Sequence, residues 1–205
     1  MAAMQFLFDL DGTVTCEETL PLLARAFGLE KEIALLTART IAGEIPFAAS
    51  FIHRVQLLQT IPVSEVATLL AQVSLHEELV RFIRAQRDHA AIVTGNLSCW
   101  VQALVQRIGC KAYASQAVMR NGQVHGVRSI LKKEEIVQHY QQQGRRVVFV
   151  GDGDNDAKAM QVADIAFAFG AVHKPALRAI QAAKQVVFWR EQDLCAALWK
   201  LKHCT

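Results

Sequence analysis

No stretch of this 205-residue chain approaches the ~20 consecutive apolar residues that a membrane-spanning helix needs, so residence in a bilayer is not expected. Cysteine is scarce and scattered: the five thiols, at positions 16, 99, 110, 195 and 204, are odd in number and form no C-x-x-C pair. That argues against a disulfide framework or a structural zinc site and makes a reducing cytoplasm the expected compartment. The first residues, Met-Ala-Ala-Met-Gln, have neither the basic start nor the long apolar stretch of a secretory signal. There is no excess of one charge either, since 22 basic and 19 acidic residues leave +3, spread too evenly for a nucleic-acid surface. Repeats and low-complexity segments are missing too. Apolar side chains are plentiful: 52% of residues are hydrophobic and 20% charged, enough for a core and against disorder. Against roughly 150 residues per domain, the length predicts one domain with an inserted lobe.

Short apolar runs at residues 5–8, 90–93, 147–150 and 165–169 read as strands covered on both faces, with 186–189 as a fifth. Helical patterns lie between them at 77–86, 98–108, 132–142, 156–162 and 175–183. Such alternation predicts a doubly wound α/β sheet. Residues 16–74 break it: they hold no strand-like run but four amphipathic helices, at 18–26, 31–42, 47–58 and 63–71, punctuated by Gly28, Gly43 and Pro62. Asn121-Gly122, between alternating residues, predicts a hairpin.

In open α/β sheets, ligands bind at the C-terminal edge of the strands. Three polar clusters fall there. The first is Asp9-Leu10-Asp11-Gly12-Thr13, in which Asp9 and Asp11 point the same way and repel unless a cation or shared proton compensates. An isolated Asp-x-Asp at a strand end is also a common turn and helix cap. The second is Thr94-Gly95-Asn96, a strand end opening onto a helix, where a hydroxyl and helix-start amides could hold a phosphate oxygen; it equally reads as an ordinary turn. The third, Gly151-Asp152-Gly153-Asp154-Asn155-Asp156, adds three carboxylates after a strand. A dinucleotide fingerprint would set Asp156 against the pyrophosphate, and an EF-hand would need Gly at Ala157 and Glu at Ala163. With no Walker loop, no G-x-S-x-G elbow and no ligand spacing among the histidines, what remains is an oxygen-rich set suited to Mg²⁺. Lys132 and Lys133 open the helix before this loop, and either could face the sheet edge or be solvated.

These clusters, in this order and across nearly the whole chain, resemble the haloacid dehalogenase superfamily of phosphohydrolases. Within it the phosphoserine phosphatase group is most similar. The shared features are the helical insertion after the first motif, the hairpin with Tyr113 before it and Gly126 after, and Gly43-Glu44-Ile45-Pro46-Phe47 followed by Arg54-Val55. The resemblance implies a Rossmann-like parallel core at 1–15 and 75–205, with an all-helical cap at 16–74. It implies Asp9 as nucleophile, Asp11 as general acid and base, and Lys133 as the phosphate lysine. Mg²⁺ would be held by Asp9, Asp152 and the Asp11 backbone carbonyl, with Asp156 supporting lysine and metal. Thr94 and Gly95 would bind phosphate and Asn155 would lie near the substrate. In the cap, Glu18 would meet the substrate's ammonium and Arg54 its carboxylate, with Phe47 as an apolar wall; the plainer readings are a helix-start residue, a solvated charge and a core aromatic.

Three residues depart from the group's pattern: Asn96 where it carries a small residue, Gly12 where it often carries Ser, and the extra charge of Asp154. The expected partner is a small phosphorylated metabolite, for a monomer or homodimer that binds neither nucleic acid nor membrane. The rivals are a phosphatase for another ester, such as a methionine-salvage intermediate, a phospho-aspartate regulatory module without turnover, and a phosphomutase.

Overall fold

The computed structural model describes residues 3–41 and 44–203, so Gly43 and Cys204 lie outside the described residues. The chain begins with β1 (Met4–Phe8) and continues through four helices, α1 (Thr19–Phe27), α2 (Glu30–Ile41), α3 (Phe47–Leu57) and α4 (Val63–Leu70). Then follow α5 (Glu77–Ala85), β2 (Ala90–Leu97), α6 (Ser98–Ile108), β3 (Lys111–Arg120) and β4 (Gln123–Ser129). The last part comprises α7 (Lys133–Gln142), β5 (Arg146–Gly151), α8 (Ala157–Val162), β6 (Ile165–Phe169), α9 (Leu177–Ala182), β7 (Val187–Phe188) and α10 (Glu191–His203). Among the described residues, no helix is long and apolar enough to cross a membrane.

The strands form one sheet in the order β4-β3-β2-β1-β5-β6-β7, parallel throughout except for the β3–β4 hairpin. Strand alternation divides the apolar runs between two faces. Phe6, Phe8, Val148 and Val150 pack with Leu79, Phe82 and Ile83 of α5, Trp100 and Leu104 of α6, and Leu194 and Leu198 of α10. Leu7, Val147 and Phe149 point the other way, onto Val137 and Tyr140 of α7, Met160 of α8 and Ala179 of α9. Both faces are therefore covered, which explains why these strands read as unbroken apolar runs.

Two short segments carry the chain from the sheet into α1–α4 and back. They run side by side, with Thr15 opposite Leu75, Cys16 N–H donating to Ser74 O at 2.8 Å and His76 N–H to Val14 O at 3.0 Å. The hairpin steadies the helices from the other side. Asn121 and Gly122 turn with φ of 49° and 76°, as a type I′ turn requires. The Gly122 carbonyl accepts the Val63 amide at 3.0 Å, and Gln123 Nε2 donates to Thr60 O at 2.8 Å. From α6, Arg107 donates to the Ala71 and Val73 carbonyls just past α4, at 2.5 and 2.6 Å.

Several boundaries differ from the sequence reading, those of β2 and β7 among them. β2 runs to Leu97 instead of ending at Val93, because its polar end keeps pairing with β3 through a register shift between Thr94 and Leu97. β7 is two residues instead of four. Helix α10 is an element that periodicity did not single out: only Leu194, Cys195 and Leu198 are buried, too few for a clear stripe.

Phe82 is fully buried and meets Phe6, Phe8 and Trp199 edge-on at centroid distances of 5.0, 6.3 and 4.8 Å. Phe82→Ala should therefore lower unfolding free energy by about 3–5 kcal/mol in urea titration. A loss under about 1 kcal/mol would mean that the neighbouring rings close the cavity.

Candidate active site

Parallel register creates the site. Phe8 pairs with Ile92 on one side and Val150 on the other, so the residues just beyond these pairs meet at one edge. Asp9 donates its backbone N–H to Val150 O at 2.9 Å, and Asp152 lies just past the end of β5. Asp9, Asp152 and Asp156 are all buried, with exposures of 4%, 3% and 0%.

A buried cation lies among them. Lys133 Nζ is hydrogen-bonded to Asp156 Oδ1 at 2.6 Å and forms an ion pair with Asp9 Oδ1, also at 2.6 Å. Burial works against the lysine's charge, but Asp156 and Asp9 outweigh it and raise its pKa above the usual value. Asp156 Oδ2 accepts the backbone N–H groups of Asp152 and Gly153 at 3.1 and 2.8 Å, tying the acidic loop to the lysine. Lys132, by contrast, is exposed and paired with Glu135 at 2.9 Å, so the structure chooses between the two lysines.

Burial also holds the Asp9 carboxyl well above the carboxylate range, with the Asp156 charge next in importance. Burial and Glu18 raise Asp11, and burial raises Asp152 to about 6. Thr13 donates to Asp152 Oδ1 at 2.5 Å. Carboxylate oxygens of Asp9, Asp152 and Asp156 lie within 4.8 Å of one another. Asp156 is saturated by the lysine and the two amides, whereas Asp9 Oδ1 meets only the Lys133 ammonium among the described residues. Asp9 and Asp152 thus offer hard oxygens that fit a divalent cation such as Mg²⁺.

Asp9, Asp11, Asp152 and Asn155 open onto a pocket of about 170 Å³ whose other walls are Glu18, Phe47, Phe51, Arg54, Gly95, Asn96 and His173. Arg54 is not a solvated charge: it is buried, donates from Nη2 to Thr37 Oγ1 at 2.9 Å and leaves Nε without a partner. Burial lowers its pKa, and Glu18 opposes the shift. Phe47 stacks on Phe51 at 6.3 Å. Thr94 is fully buried behind the lining, with Oγ1 3.4 Å from Asp11 Oδ2. The expectation of helix-start amides at residues 94–96 is corrected. Helix α6 starts at Ser98, and the Asn96 amide is already bonded to Thr94 Oγ1 at 3.0 Å. Asp154 is exposed, 3.7 Å from Arg178.

Two residues join the site that the sequence did not single out. His173 Nε2 lies 2.8 Å from Glu18 Oε1 and 3.3 Å from Asp152 Oδ2, and these two contacts raise its pKa to about 11. Gly12, at φ +70°, makes room for this cluster: a Cβ there would lie 2.8 Å from Glu18 Oε1 and 3.2 Å from His173 Nε2. Thr19, the first residue of α1, binds Asp11 Oδ1 through both its backbone N–H and its hydroxyl. His173 lies 155 positions from Glu18, so no local spacing reveals the pair. For Thr19 the one available signal was its place beside Glu18.

Lys133→Met would leave two buried carboxylates without their cation. In EDTA at pH 7.5 it should lose about 3–5 kcal/mol of stability. A carboxyl whose folded pKa is raised binds its proton in the folded state before the unfolded one does, so the deficit should shrink at pH 5. Urea midpoints at the two pH values measure this, and equal deficits would show that only packing was lost.

A family model described as haloacid dehalogenase-like hydrolase matches residues 4–164, a span containing every motif assembled above. The phosphoserine phosphatase of Archaeoglobus fulgidus is 30% identical over 178 residues, covering 80% of this chain and 52% of its own. The chain therefore spans about half the length of that relative. The phosphoserine phosphatase of Methanocaldococcus jannaschii is 29% identical over 185 residues, covering 84% and 87%. A solved substrate-bound phosphoserine phosphatase complex shares the fold, with TM-score 0.80 at 24% identity and coverage of 96% and 99%. With its motifs, fold and family model in agreement, the chain belongs to the haloacid dehalogenase-like hydrolases.

Proposed function

We propose that this chain hydrolyses a small phosphomonoester, phosphoserine, through an aspartyl phosphate formed on Asp9 and with Mg²⁺ as cofactor. The observation that carries the reading is the placement of Asp9 and Asp11 on one pocket with Asp152, against a lysine buried at 2% exposure. Attack on a phosphomonoester is opposed by its own negative charge, so positioning and cationic stabilisation supply most of the catalysis. Asp9 and Asp152 would hold Mg²⁺, whose positive charge would offset the repulsion between carboxylate and phosphate.

Lys133 holds the Asp9 carboxylate and gives a phosphoryl group a second cation. Asp9 attacks phosphorus, which splits one hard displacement into two. Asp11 protonates the departing alkoxide and later takes a proton from the attacking water; its raised pKa suits the acid role. Residues 16–74 act as a cap that selects the substrate. Arg54 lines the pocket, and its guanidinium is suited to a substrate carboxylate, a contact that favours a planar fork. The names of the relatives support phosphoserine. One observation favours a different small ester: Glu18, the expected ammonium partner, is already 2.8 Å from His173.

Asp9→Asn should abolish phosphoserine hydrolysis with the circular dichroism spectrum unchanged, since an amide keeps the shape but cannot attack. Activity within tenfold of wild type would remove Asp9 as nucleophile. EDTA should silence the enzyme and Mg²⁺ restore it, while excess Ca²⁺, which prefers more oxygens at longer distances, should depress turnover. Arg54→Ala should cost phosphoserine about 10- to 150-fold in kcat/KM, the loss of a charge-assisted contact, and spare an aryl phosphate without a carboxylate. Arg54→Lys should recover part of it. Equal losses on both substrates would make Arg54 a structural residue. A panel of phosphorylated metabolites decides between phosphoserine and another ester.

A further inference from the structure

We propose that Asn96 is a positioning residue for Asp11, acting through the hydroxyl of Thr19. The proposal rests on the reading of Asp11 as general acid and base, and it gives a task to the residue by which the second motif departs from its group. Asn96 is buried at 5% exposure near the end of β2, where pairing with β3 shifts register. The backbone N–H of Leu97 lies 2.9 Å from Asn96 Oδ1, and an N–H can only donate, so this contact fixes which end of the amide is oxygen. Asn96 Nδ2 therefore faces the other way, 2.8 Å from Thr19 Oγ1.

That donor in turn directs the next proton. An amide NH₂ accepts nothing, so it occupies a lone pair on Thr19 Oγ1, and the threonine hydroxyl must spend its own proton elsewhere. The acceptor in place is Asp11 Oδ1, which also takes the Thr19 backbone N–H at 3.2 Å. Donation thus runs in one direction, from Asn96 to Thr19 to Asp11. Two donors from one residue pin Oδ1, and among the described residues Oδ2 keeps only the long 3.4 Å contact with Thr94, which leaves it to engage a reacting group. The link also joins the sheet to the first residue of α1, so the Asp11 carboxylate is aimed only when that helix is seated. A purely structural role as the cap of α6 does not account for the contact, because the N-cap position there is Leu97.

The test compares two leaving groups. A nitrophenolate departs without a proton, whereas the serine alkoxide needs one, and kcat/KM reports events up to that departure. Thr19→Val deletes the hydroxyl at nearly constant shape, and Asn96→Ala deletes the outer donor. Each should lower kcat/KM for O-phosphoserine about 10- to 100-fold and lower kcat/KM for p-nitrophenyl phosphate by a much smaller factor. Thr19→Ser should recover most of the loss. Asp11→Asn is the reference. If Asp11→Asn separates the two substrates but Thr19→Val and Asn96→Ala do not, the positioning role is overturned alone. If Asp11→Asn slows both substrates equally, the acid role falls and the proposal falls with it. Should Thr19→Val fail to fold, Asn96→Ala carries the same comparison.

Discussion

The ammonium of Lys133, enclosed between Asp9 and Asp156, is the contact on which this site depends. Asp9, Asp152 and Asp156 are gathered at one sheet edge and almost fully removed from water. Burial favours the protonated forms of Asp9 and Asp152, and ionised neighbours raise both further. An internal cation with matched geometry opposes that effect at Asp9 and Asp11 and lowers the cost of gathering the carboxylates. Replacing such a group is strongly destabilising because the charges left behind cannot be rehydrated. The same contact orders the acidic loop, since Asp156 holds the lysine with one oxygen and two loop amides with the other.

The sheet makes that gathering possible. Parallel strands align their C-terminal ends, so β1, β2 and β5, neighbours in the sheet though far apart in sequence, bring Asp9, Thr94 and Asp152 to one edge. The helices α1–α4 leave from this same edge. They are pinned by the Thr15–Leu75 bridge on one side and by the hairpin turn on the other. The pocket therefore has a floor of carboxylates built by the sheet and walls of Phe47, Phe51 and Arg54 built by the helices. Under the proposed function, chemistry and selectivity would be divided between two parts of the chain, with the helical insertion choosing the ester.

Much of this was legible in the linear chain because local rules govern it. The apolar runs of β1, β5 and β6 stand out since both sheet faces are covered, and Asn121-Gly122 marks a turn whose positive φ values few other residue pairs adopt. Less legible was the end of β2, where Thr94, Gly95 and Asn96 look like a loop but are held in the sheet by β3 and by contacts to Asp11 and Thr19. Helix α10 escaped notice because three buried residues in thirteen give no clear stripe.

By itself the sequence determined the strand–helix alternation, the helical insertion and the clustering of Asp9, Asp11, Asp152 and Asp156 at strand ends. Periodicity and turn chemistry act over a few residues and can be read without a partner. Only the tertiary structure decided that Lys133 and not Lys132 enters the site, that Arg54 is buried, and that His173 meets Glu18. These are matters of which distant groups share a volume without water. The energy of a charge depends on that shared environment and not on its neighbours along the chain.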